Sequence, residues 1–88
     1  MRIKHILVPN KYEAEDLLRF IDEGKAFEEI ATKYSSCPSS KNGGDLGEIN
    51  PQKLDPDFLA AAELLKPGQI SKAPVRTRFG YHLIKRES

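Results

Sequence analysis

Apolar and polar positions first alternate with a period of two. In Ile3–Val8 (IKHILV), Ile3, His5 and Leu7 fall on one face while Ile6 and Val8 fall on the other. Both faces carry apolar groups, which predicts a central strand covered on each side and ended by Pro9. The spacing then becomes helical. Asn10 suits an N-cap, Ala14, Leu17, Leu18 and Ile21 recur at i, i+3, i+4 and i+7, and Gly24 stands where a helix stops. Phe27, Ile30, Ala31 and Tyr34 repeat the stripe in a second helix. A polar run follows, with Ser39 to Gly44 read as a flexible loop, and Asp45 to Ile49 reads as a short strand.

Asp55-Pro56 is an N-cap with proline at the first helical position, and it opens a third helix whose core face is Phe58, Ala61, Ala62 and Leu65. Lys66-Pro67-Gly68 ends it. The segments APVRT and YHLIKR read as two strands joined around Phe79-Gly80. The order βααβαββ predicts an α+β fold, a small four-stranded antiparallel sheet wrapped by about three to four helices. No repeat, low-complexity tract or linker interrupts it, so residues 1–88 are read as one domain.

Composition narrows the function classes. Hydrophobic content of 39% and charged content of 31% suit a folded globular chain rather than a disordered one. The net charge is +1, and acids are interspersed among the bases, which excludes an electrostatic footprint for nucleic acid. No apolar run is long enough to cross a bilayer. A single cysteine, Cys37, excludes an internal disulfide and fits a reducing compartment. Met1 leads directly into strand-like sequence, so a cytoplasmic monomer is expected, with neither nucleic acid nor membrane as partner.

The fragments KHILV, FEEIATKYSSCPSS, GGDLGEI, LDPDF, LKPGQIS and RTRFGYHLIK occur in an order and spacing that cover nearly the whole chain. Together they resemble a parvulin-type peptidyl-prolyl cis-trans isomerase (rotamase) domain. The resemblance implies a parvulin/FKBP-like sheet and interconversion of cis and trans X-Pro bonds with no cofactor. It also implies a polar cluster of His5, Cys37, Thr77 and His82 under the substrate amide. Leu54, Phe58 and Phe79 would form the pocket for the proline ring, with Leu46 at its edge. Three departures bear on these expectations. Leu54 replaces the family's usual Met, a swap close in volume. ISKAPV is one residue longer than the common pattern, which predicts a bulge or longer turn at Lys72-Ala73. The link after the first strand carries only Lys11, which cannot imitate an arginine cluster for a phosphate dianion, so phosphate-selective recognition is not expected.

The chemistry fits these residue types. Rotation about the imide bond meets a barrier of about 18–20 kcal/mol because it breaks amide resonance. A rate gain of about a thousand to a hundred thousand needs only about 4–7 kcal/mol. Desolvation of the amide and fixed polar groups supply that much without a nucleophile. Cys37 has three readings: a nucleophile with histidine as base, a structural thiol, or a polar group beside the carbonyl, hydrogen-bonded through the histidines. Many parvulins carry Asp at the matching position, which favours the third. His5 and His82 are read as facing neighbours on paired first and last strands, both neutral near pH 7, with Thr77 fixing the tautomer. They act either on the substrate or as a structural floor. Phe58 serves core or pocket, and Phe79, an aromatic at a turn, points to binding. Arg76 and Arg78 should face away from Thr77, as solvated charges or as selectors of an acidic residue before proline.

The leading reading is an isomerase acting on proline-containing peptides and unfolded proteins. The alternative is a binding module or minimal chaperone for Pro-containing extended segments with little turnover. A metal site from His5, Cys37 and His82 is a third possibility, disfavoured by the scattered spacing and missing fourth ligand.

Overall fold

A computed structural model describes residues 1–88. The strands are β1 (Arg2–Val8), β2 (Asp45–Glu48), β3 (Val75–Thr77) and β4 (Gly80–Arg86), and the helices are α1 (Lys11–Asp22), α2 (Phe27–Tyr34) and α3 (Pro56–Glu63). The element order is the expected βααβαββ, and the sheet is antiparallel in the order β2-β1-β4-β3. The first and last long strands therefore lie side by side at its centre.

The alternation in β1 sorts two cores onto two faces. Ile6 and Val8 join Leu83 under α1 and α2, packed on Ala14, Leu17, Phe27, Ile30 and Ala31. Ile3 and Ile84 on the opposite face pack against Phe58 and Ala62 of α3. The caps act as their residue types dictate: Asn10 Oδ1 accepts from the Glu13 amide at 2.8 Å, and Asp55 Oδ1 from the Asp57 amide at 2.9 Å.

Several boundaries differ from the expectation. The flexible loop predicted at Ser39 to Gly44 instead belongs to a 3₁₀ turn, Pro38–Asn42, closed by Gly43 in the left-handed region. The Ser40, Gly43 and Gly44 amides donate to the carbonyls of Cys37, Ser40 and Ser39. A Cβ on Gly44, whose φ is +84°, would meet the His5 carbonyl oxygen at 2.4 Å. The bare Cα lets the turn press against β1, where the His5 amide donates to the Gly44 carbonyl. The third helix ends at Glu63, short of the Lys66-Pro67-Gly68 stop, although Leu65 still packs on the core. The APVRT strand shortens to Val75–Thr77, and Ile70 makes an isolated bridge to Lys85. The extra residue at Lys72-Ala73 is absorbed in bends between these two pairings. Tyr34, placed on the second helix's apolar stripe, is 37% exposed and lies at the edge of the core rather than within it.

Candidate functional site

The end of β1, the middle of β4, the start of α3 and the β3–β4 turn converge on one cleft of about 390 Å³. Seven of the eight predicted site residues line it: His5, Cys37, Leu46, Leu54, Phe58, Phe79 and His82. Thr77 lies one layer behind, against His82.

His5 and His82 are 5% and 4% exposed. They are not directly opposite one another, as facing neighbours would be. His5 pairs with Ile84 and Leu7 with His82, so the two imidazoles meet on the diagonal of the β1–β4 ladder. Their rings stack at 5.2 Å with 21° between planes, and the two Nδ1 atoms lie 3.1 Å apart. Desolvation, and then the neighbouring His82, push His5 down to about 4, and desolvation pushes His82 to about 4 despite the favourable charge of Asp55. Both rings are neutral at pH 7, and the Nδ1 separation suits one hydrogen bond, in which one ring donates and the other accepts.

Thr77 Oγ1 sits 2.7 Å from His82 Nε2 and accepts from the Phe79 amide at 3.2 Å. His5 Nε2 is buried with no partner. If His5 donated from Nε2, a buried N–H would be orphaned; if it donates from Nδ1, only a lone pair is left idle. The second direction is favoured, with His5 donating to His82 and His82 to Thr77. Phe58 closes the couple from one side, edge-on to His5 at 5.6 Å and to His82 at 5.0 Å. Thus two dry imidazoles sit beneath an aromatic and aliphatic wall.

Cys37 is half-exposed at the cleft, at the start of the 3₁₀ turn. Its sulfur makes no hydrogen bond to either histidine, so the expected link of the thiol to the imidazole pair is not formed; Thr77 is the group that completes the chain. Serines hold the cysteine's position. Ser35 Oγ accepts from the Leu7 amide at 3.0 Å and the Cys37 amide at 3.4 Å, while the Ser36 hydroxyl donates to the Leu7 carbonyl at 2.8 Å. No group of three His, Cys, Asp or Glu side chains is placed to hold a metal ion.

Five lining residues were not anticipated: Leu7, Ser36, Pro38, Lys53 and Asp55. Leu7 shares the β1 face of His5, a signal present in the alternation. Asp55 is legible in sequence only as a helix cap. Arg76 is exposed as expected, but Arg78 folds back over Phe79, with Cζ 4.9 Å from the ring centroid and Nε 3.7 Å from Asp55 Oδ2.

A four-stranded antiparallel sheet carrying helices on both faces, with this cleft at its centre, defines a parvulin-type domain. The family model for the PPIC-type PPIase (rotamase) domain matches residues 5–88, and the chain belongs to that family of peptidyl-prolyl isomerases. It is 47% identical over 88 residues to the foldase protein PrsA of Caldanaerobacter subterraneus subsp. tengcongensis, covering 99% of this chain and 28% of the relative. The crystal structure of the peptidylprolyl isomerase PrsA from Bacillus anthracis matches with a TM-score of 0.93 at 42% identity, over 97% of this chain and 39% of that one. The solution structure of NmPin, the parvulin of Nitrosopumilus maritimus, matches with a TM-score of 0.86 at 32% identity, over 100% and 95% of the two chains. The chain thus spans about three-tenths of the length of the curated foldases it matches.

Proposed function

We propose that this domain accelerates rotation about X-Pro bonds of peptides and unfolded proteins without a covalent step. The observation that carries the reading is that an apolar notch, Leu54, Phe58 and Phe79, lines one cleft with the His5–His82 couple, Phe58 packing edge-on against both rings. The pyrrolidine ring enters the notch, with Leu46 at its edge, and the imide leaves water. The planar amide is the more dipolar state, so desolvation raises it relative to the twisted transition state. The neutral couple, held by Thr77, provides a rigid polar floor that needs no reorganisation as the carbonyl turns. Cys37 presents a polar group beside that carbonyl; with its sulfur unpaired to histidine, it lacks the base that activation as a nucleophile requires.

Phosphorylated substrates are not favoured, because the link from β1 to α1 offers only the exposed Lys11. A reducing compartment is the setting the lone thiol Cys37 suits, although a fold without a disulfide serves reducing and oxidising surroundings alike.

Exchange spectroscopy on an Ala-Leu-Pro-Phe peptide tests the reading. Catalytic amounts of protein should produce cis–trans cross-peaks at mixing times too short for the uncatalysed reaction, which takes tens to hundreds of seconds. Line broadening without faster exchange would establish a binding module instead.

A further inference from the structure

We propose that Arg78, assisted by Lys53, is a specificity-determining cation that selects substrates with a carboxylate side chain beside the proline; this rests on the proline-cleft reading above. Arg78 is exposed at 78% of its side chain, yet it is doubly anchored. Its guanidinium stacks on Phe79, and its Nε faces Asp55 Oδ2 at 3.7 Å. Both anchors are themselves fixed. The Phe79 amide is bonded to Thr77, and Asp55, only 12% exposed, caps α3 through Oδ1 to the Asp57 and Phe58 amides. Arg78 is not itself on the lining, but its guanidinium lies over Phe79 and beside Asp55, both of which are, so it stands at the rim of the cleft with only Nε engaged in the ion pair.

Lys53 lines the same cleft from the α3 side and forms no ion pair, while the one carboxylate on the lining, Asp55, is occupied by the cap and by Arg78. An incoming carboxylate thus meets two cations whose charge is incompletely neutralised. A residue next to the bound proline lies about 3.8 Å away along the chain, so its side chain passes this rim. A single negative charge suits the arrangement better than a dianion, because the Asp55 carboxylate stands beside the guanidinium and repels excess charge. Asp57 is exposed on the first turn of α3 and is not part of the lining.

The test measures kcat/KM for Glu against its neutral isostere Gln in Ala-Xaa-Pro-Phe and Ala-Leu-Pro-Xaa peptides. At low salt we expect Glu to exceed Gln by about three- to fivefold in at least one series, the size an exposed ion pair gives. The ratio should fall towards unity in Arg78→Gln, fall partly in Lys53→Gln, and shrink in molar salt, where the screening length is about 3 Å. A Glu to Gln ratio of one in both series, or a ratio that survives Arg78→Gln, would overturn the proposal. If the neutral Ala-Leu-Pro-Phe peptide is turned over and only the ratio fails, the cleft reading stands and this inference alone falls. No turnover of any peptide would remove both.

Discussion

His5 and His82 are the chain's two histidines, so acidification from pH 7 to about pH 5 addresses them almost alone. Ordinary carboxylates stay largely ionised in that window in both folded and unfolded chains. Each imidazole titrates near 6.5 in the unfolded chain and at about 4 when folded. The unfolded chain therefore binds more protons between these values, and stability is full above about pH 6.5 and is lost as the pH falls towards 4. With 1.36 kcal/mol per pH unit, a ring shifted this far loses about 2 kcal/mol by about pH 5. Both rings border the cleft, so the sum is discounted, and about 3 kcal/mol is expected for the pair. A domain of this length has roughly 4–13 kcal/mol in total, so the loss is a large fraction of it. Urea unfolding followed by circular dichroism at the two pH values measures it directly, and ring ¹⁵N shifts report protonation. Equal stability at pH 7 and pH 5, or either ring titrating near 6.5 in the folded protein, would refute a dry, neutral couple.

Other perturbations separate the remaining roles. Cys37→Asp should keep substantial isomerase activity, because the half-exposed site tolerates a carboxylate and no covalent bond is made; a well-folded, inactive variant would restore the nucleophile. Gly44→Ala places a Cβ 2.4 Å from the His5 carbonyl oxygen at a positive φ, so melting should drop by about 10 °C or more, and an unchanged melting temperature would contradict the close approach of turn and strand. Thr77→Val keeps shape but strips the Phe79 amide of its acceptor and His82 Nε2 of its partner. We expect a loss of about 1–3 kcal/mol together with a shift of the His82 ring nitrogen, and a shift-silent variant would show that Thr77 does not set the tautomer.

How far the fold was legible depended on the range of the interactions that decide each feature. Elements whose signals lie within one turn or one strand were read correctly: the Asn10 and Asp55 caps, the stripe of α1 and the two-sided burial of β1. The grouping of cleft residues came from resemblance rather than from spacing, since Phe58 and Phe79 are also plausible as core or turn residues. The polar run after Cys37 has the Ser, Asn and Gly composition of a loose loop, and its 3₁₀ shape is set by contact with β1, which composition does not encode.

Taken alone, the chain's pattern settled what each segment is and which face of it seeks burial, because periodicity and capping act over a few residues. Only the tertiary structure decided how segments meet. The β1–β4 register set the imidazoles on a diagonal, the serines after α2 held Cys37 apart from them, and the β3–β4 turn bent Arg78 back to Asp55. Those choices depend on pairing between residues far apart in sequence, such as His5 with Ile84, and no local preference encodes them.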